Sequence, residues 1–208
     1  MKFSASFSGG KDSTLAIKRM LDQGNDLVAL IVSTKKGEDM SWTHNLASKY
    51  FEDIGQILDC KVLFTEADLK DYEDLFEGAL KFSKELGAQA CVFGDIDIQD
   101  HLDWNRTRCK EAGITCIHPL EGESREAVLE EFLNTGLEAR IVKVNKTFLD
   151  ESLEGRILDK DLVEELKSNK SIDPCGENGE YHTRIEVWSV EKYLKKLQNL
   201  LDFYKKLW

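Results

Sequence analysis

No apolar run in this chain approaches the roughly 20 residues that would span a bilayer, so no membrane partner is expected. Proline is scarce, with two in 208 residues, while 41% of residues are hydrophobic; that balance argues against disordered tracts and for a buried core. Cys60, Cys91, Cys109, Cys116 and Cys175 form no C-x-x-C pair, so neither a zinc ribbon nor a redox dithiol is suggested. Basic residues are outnumbered, 28 Lys and Arg against 39 Asp and Glu, and a net charge of −11 disfavours nucleic acid as a partner. The first residues lack the basic stretch and apolar core of a signal peptide, so a cytoplasmic location with reduced thiols is expected.

What is present is an alternation of strand and helix patterns. Residues 2–8 put Phe3, Ala5 and Phe7 on one side, and 27–32 form a continuous apolar run. Short strand-like runs recur at 61–65, 90–93, 114–118 and 139–144. Between them, helical spacing is read at 15–21, from Trp42 through Leu46, Tyr50 and Ile54 to Leu58, and at 72–86, 101–112, 125–134 and 160–167. The spacing predicts an α/β fold, a parallel sheet with helices on both faces over 1–120, followed by a smaller C-terminal α+β region over 121–208. In such sheets ligands gather outside the carboxyl ends of the strands. Those ends carry Ser8-Gly9-Gly10, Ser33-Thr34 and Gly94-Asp95, which makes Ser33, Gly94 and Asp95 candidate nucleotide contacts.

Ser8-Gly9-Gly10-Lys11-Asp12-Ser13 lies between the first strand and the first helix. Two glycines let backbone N–H groups approach an anion, and the helix N-terminus adds partial positive charge. Lys11 supplies a full charge, and Ser8 and Ser13 supply hydroxyls. Asp12 is expected to cap the helix or to hold the Mg²⁺ that accompanies a polyphosphate. The spacing is not that of a Walker A loop. It resembles the pyrophosphate-binding loop of the PP-loop (N-type) ATP pyrophosphatases, which implies an adenine-nucleotide alpha-hydrolase-like fold, ATP as substrate, and release of AMP and pyrophosphate.

A second polar turn reads Asp173-Pro174-Cys175-Gly176-Glu177-Asn178-Gly179-Glu180-Tyr181-His182-Thr183. With the first loop it resembles the diphthine–ammonia ligase (diphthamide synthase) family. Phe93-Gly94-Asp95-Ile96, Asp100-His101, Trp104, Cys109, Pro119-Leu120 and Gly122 resemble that family's middle region, as does Leu149-Asp150-Glu151 with Gly155-Arg156. Ser41, His44 and Asn45 resemble its polar patch after the second strand. Three departures stand out: Glu121 where an aromatic is usual, Leu102 where Arg often follows Asp-His, and a run from Arg184 into a long helix in place of an apolar strand.

The resemblance implies adenylation of a carboxylate on diphthine, a modified histidine of elongation factor 2, followed by ammonia displacing AMP. It implies Lys11, Asp12, Glu180 and His182 as catalytic candidates, with His44, Asn45, His101, Glu177, Glu180, His182 and Thr183 toward the substrate. A PP-loop enzyme acting on tRNA and an ATP-binding regulatory protein stand as alternatives; paired cysteines and a basic surface, which would favour the first, are lacking. Finally, residues 189–208 carry apolar positions at helical spacing, and a homodimer through that helix is expected, with packing on the chain's own sheet as the alternative.

Overall fold

The computed structural model describes residues 1–187. The expected C-terminal helix, and the dimer through it, lie outside the described residues.

Five parallel strands form the main sheet: β1 (Lys2–Ser6), β2 (Asp26–Lys35), β3 (Lys61–Ala67), β4 (Ala90–Val92) and β5 (Thr115–Ile117), in the order β3-β2-β1-β4-β5. The crossovers are α1 (Lys11–Asp22), α2 (Ser48–Leu58), α3 (Tyr72–Glu85) and α4 (Gln99–Ala112). Strand order reverses between β1 and β4, so their carboxyl ends open a crevice of the kind in which α/β sheets bind ligands.

Alternation along the strands divides the core between two faces. Phe3, Ala5, Leu30, Val32, Ala90 and Val92 point to one side, where they meet Leu15 and Ile17 of α1 and Phe51 of α2. Ile31, Cys91 and Phe93 point to the other, against Phe76 and Leu80 of α3 and Cys109 of α4. Helices therefore cover both faces, as the continuous apolar run of β2 requires. Ser4, on the second face, meets its polar need at the Ser83 hydroxyl of α3, 3.1 Å away.

After β5 come α5 (Arg125–Asn134), β6 (Glu138–Val144), α6 (Lys160–Ser168) and β7 (Tyr181–Val187). β6 and β7 pair antiparallel as a separate two-stranded sheet. Val128 and Phe132 of α5, Ile141 of β6, Leu162 of α6 and Ile185 of β7 join the same apolar cluster as Phe3 and Leu15.

Two expectations need correction. The helix expected from Trp42 begins only at Ser48. Residues 41–46 instead form a loop in which the Ser41 hydroxyl accepts the Leu46 N–H at 3.0 Å, and Leu46 faces the core from that loop. Arg184–Val187, expected to run into a helix in place of a strand, is the end of β7. Tyr181, Thr183 and Ile185 are buried at every second position, the period of a strand packed on one face. Among the described residues no helix is long and apolar enough to cross a membrane.

Candidate active site

β1 ends at Ser6, and the chain turns through residues 7–10 into α1. Gly9 adopts φ +85°, the left-handed region, and a Cβ there would fall 2.7 Å from Leu46. Ser8 Oγ accepts the Gly10 N–H at 3.2 Å and lies 3.1 Å from Ser13 Oγ, which ties the loop to the first helical turn. Gly10 is the helix N-cap and brings no side chain to it. The expected cap, Asp12, lies inside the first turn, and its carboxylate receives the Lys11 ammonium at 2.7 and 2.8 Å. Gly94 follows β4 directly behind this turn; a Cβ on it would meet Ser13 N at 2.5 Å and the Asp12 carbonyl carbon at 2.7 Å. Its part is thus to let the β4 loop approach the start of α1.

β7 docks onto this loop. Lys11 N–H donates to Thr183 Oγ1 at 3.0 Å, Ile185 N–H to the Gly9 carbonyl at 3.0 Å, and the Tyr50 hydroxyl of α2 to the Ile185 carbonyl at 3.0 Å. Two motifs some 170 residues apart in sequence are thereby one structure.

They enclose a cleft of about 410 Å³ lined by Ser8, Gly10, Lys11, Asp12 and Ser13 on one side, Gly94, Asp95 and His101 on another, and Glu177, His182 and Thr183 on a third, with His44 at its edge. A second cavity of about 130 Å³ adjoins it, shares Ser6, Ser8, Thr43 and His44, and is lined also by Ser33, Trp42 and Tyr72. Ser33 Oγ lies 3.1 Å from both the Tyr72 hydroxyl and Thr65 Oγ1. Trp42 Nε1 is buried and finds no hydrogen-bond partner among the described residues.

Three candidates lie outside these linings: Gly9, whose carbonyl accepts the Ile185 N–H, Asn45 and Glu180. Asn45, at φ 52°, is exposed and accepts from half-buried Lys35. Glu180 is 1% exposed, and its carboxylate accepts the N–H groups of Asp173 at 2.8 Å and Asn178 at 3.0 Å, so it shapes the turn. Asp95 accepts from Asn105 at 2.7 Å, and His101, largely exposed, sits 3.4 Å away.

The electrostatics concentrate around Lys11, which is 4% exposed. Burial works to lower its pKa, but Asp12, together with Cys175, Tyr181 and Glu177, outweighs burial and holds the ammonium charged. Glu177, 3.8 Å from Lys11 Nζ, is pushed up to about 7 by burial and by Asp12. Asp12, Cys175 and Glu177 present ligand atoms within 4.8 Å of one another. Burial lifts the Cys175 thiol to about 12, so it stays protonated and leaves a two-carboxylate donor set. Such a set fits Mg²⁺, which takes one or two carboxylates and completes its shell with phosphate oxygens and water. Burial is the first cause of the Glu177 shift, and the Asp12 repulsion that adds to it is what a divalent cation would relieve.

At the cleft's edge the rings of His44 and His182 stand 4.8 Å apart. Burial, then His182, Lys11 and Lys143, drives His44 down to about 3, and burial lowers His182 as well. Both imidazoles are neutral at ordinary pH. The sequence did not single out Arg125 or Thr43, and it gave no separate role to Asp173 and Tyr181, which belong to the second motif itself.

A family model described as diphthamide synthase N-terminal domain matches residues 1–116, and one described as diphthamide synthase C-terminal domain matches residues 124–206. Human diphthine–ammonia ligase is 26% identical over 213 residues, covering 88% of this chain and 78% of that protein. The Schizosaccharomyces pombe diphthine–ammonia ligase is 28% identical, covering 89% of this chain and 34% of its own length. A Lactococcus lactis argininosuccinate synthase is 30% identical over 112 residues, 45% of this chain. A solved structure described as a predicted subunit of tRNA methyltransferase from Methanocaldococcus jannaschii aligns over 89% of this chain and 97% of its own, with TM-score 0.46 and 16% identity.

Proposed function

The chain belongs to the diphthamide synthase family and is an ATP-dependent ligase of that family, and from this we propose that it adenylates a carboxylate and amidates it with ammonia, releasing AMP and pyrophosphate. The observation that carries the reading is the docking of Thr183 on Lys11 N–H, which sets the acceptor-side turn beside the phosphate loop. The polyphosphate lies along Ser8, Gly9, Gly10, Lys11 and Ser13, where backbone N–H groups, the helix terminus and Lys11 match its charge. The smaller cavity beside Ser33 takes the base, with Trp42 Nε1 as a donor toward it. Asp12 and Glu177 hold Mg²⁺, which supplies charge neutralisation on the polyphosphate.

Chemically, a carboxylate is a poor electrophile until its oxygen becomes part of a phosphoanhydride. The acceptor carboxylate attacks the α-phosphorus, and the bond to pyrophosphate breaks. Ammonia then attacks the carbonyl carbon, the bond to AMP breaks, and a proton leaves the new nitrogen. His182, neutral and lining the cleft, is the group that receives that proton, and His44 beside it orients the acceptor. Diphthine on elongation factor 2 is the proposed acceptor, the compartment the cytoplasm, and the assembly a homodimer through residues 189–208.

ATP–pyrophosphate exchange dependent on a carboxylate substrate, with AMP as the chromatographed product, is the expected result. Accumulation of ADP with free phosphate would refute adenylation. Lys11→Ala should abolish exchange while the protein remains folded, and unchanged pyrophosphate release by that variant would remove Lys11 from the site.

A further inference from the structure

We propose that Arg125 is a positioning residue that ties the two walls of the cleft together and thereby fixes Glu177 opposite Asp12; the inference rests on reading that corner as the seat of Mg²⁺ and ATP. Arg125 is the first residue of α5, presented by a helix whose N-cap Ser124 accepts the Ala127 N–H at 3.2 Å. Its guanidinium divides its donors between two loops. Nε and Nη2 grip the two oxygens of Asp97 at 2.7 and 2.8 Å. Nη1 reaches Asp173 Oδ2 at 2.7 Å and Asn178 Oδ1 at 3.0 Å.

Asp97 stands between Asp95 and Ile98, which both line the cleft beyond β4. Asp173 opens the turn before β7, and its carboxylate accepts the N–H groups of Cys175 at 2.8 Å and Glu177 at 3.2 Å. A continuous path therefore runs from the β4 loop through Arg125 and Asp173 to the backbone of Glu177, whose side chain faces Lys11.

The geometry needs arginine. A planar fork satisfies one carboxylate side-on and keeps a third nitrogen for a second carboxylate, whereas a lysine ammonium is a single point that cannot span both. The side chain of Asp173 is 11% exposed and that of Arg125 23%, so water competes less for this pairing than for a surface salt bridge. Arg125 itself does not line the cleft, so its effect passes through Asp173 and the turn. Groups that orient metal ligands in this indirect way are worth on the order of 10–100-fold in metal affinity or activity.

The test uses the full chain and calorimetric ATP binding across a Mg²⁺ titration, so that no turnover is needed. Arg125→Ala and Arg125→Lys should each raise the Mg²⁺ concentration for half-maximal ATP binding on the order of 10–100-fold. Lysine should fail to rescue, and Arg125→Ala should add little in an Asp173→Asn background, because the two act through one path. Asp97→Ala, which frees one wall and keeps the Arg125–Asp173 pair, gives an intermediate shift and serves if Arg125→Ala does not fold. An unchanged Mg²⁺ requirement in Arg125→Ala, or in Asp97→Ala in its place, overturns the proposal. A loss of ATP affinity equal at every Mg²⁺ concentration also overturns it. Wild-type protein that binds no ATP with Mg²⁺ overturns instead the functional reading of the cleft, and the clamp's purpose with it.

Discussion

Replacing His44 by Gln should flatten the acid side of the protein's stability–pH curve. The His44 ring is packed beside His182 under the Gly10 turn, and its Nδ1 is buried with no hydrogen-bond partner among the described residues. Burial first, then His182, Lys11 and Lys143, takes its pKa from an ordinary 6.5 to about 3. The unfolded chain has no such restraint and protonates His44 near 6.5, so between these values the unfolded state binds the extra proton. The contribution is therefore whole above pH 6.5 and is lost as pH falls, at about 1.4 kcal/mol per unit. From pH 6.5 to 5, above the range where most carboxylates titrate, His44 accounts for about 2 kcal/mol. In a chain of this size that is about 4–8 °C of Tm. His182 acts in the same direction, so wild-type protein loses at least this much and His44→Gln keeps only the remainder. Calorimetric melts at fixed ionic strength from pH 7.5 to 5 give the difference between the two slopes, which is insensitive to any constant offset from the substitution itself. Parallel curves for the two proteins would refute the reasoning, because a neutral buried imidazole has to be charged for acid to unfold it.

The fold was largely legible because its signals are local. Period-two and period-3.6 patterns in the first 120 residues name strands and helices that the sheet then orders, and the expected ends of most fall within a few residues of those observed. The failures share a cause. Helical spacing misleads where two conformations offer the same inward positions: Trp42 and Leu46 fit a helical stripe with Tyr50, Ile54 and Leu58, yet a loop closed by Ser41 turns Leu46 inward just as well. At 181–187 the alternation was present but was divided between a turn ending at Thr183 and a run leading toward a helix, so β7 was missed. Within the candidate site, the loop of residues 8–13 is contiguous and its composition could be read directly. What holds it cannot be: Thr183 reaches Lys11 across 172 positions, and Arg125 meets Asp97, Asp173 and Asn178 across 28, 48 and 53. The glutamates of the second turn look alike in sequence. The turn's geometry alone sends Glu177 toward Lys11 and folds Glu180 back onto the N–H groups of Asp173 and Asn178.

Gly94→Ala should cost about 1–3 kcal/mol and weaken ATP binding, since the new methyl meets backbone of α1 and cannot be accommodated by a side-chain shift; unaltered melting and affinity would contradict this. Thr183→Val keeps shape but leaves the buried Lys11 N–H without its acceptor, an expected loss of about 1–3 kcal/mol that a melt measures; a neutral result would mean that the loop does not depend on β7. For Glu180→Gln the resemblance and the geometry make different forecasts. A catalytic Glu180 would leave folding and ATP affinity intact and lose amide formation alone. The geometry instead makes its carboxylate an acceptor at both oxygens, with Asp173 N–H on one and Asn178 N–H on the other. A glutamine amide must aim its NH₂ at one of those two N–H groups, so one bond is lost and a donor faces a donor. In a site 1% exposed, water cannot repair the mismatch, and a loss of about 1–3 kcal/mol is expected. Because Asp173 also carries the Glu177 N–H, ATP affinity in the presence of Mg²⁺ should fall together with Tm. A variant that melts and binds ATP like wild type but forms no amide would return Glu180 to the chemistry.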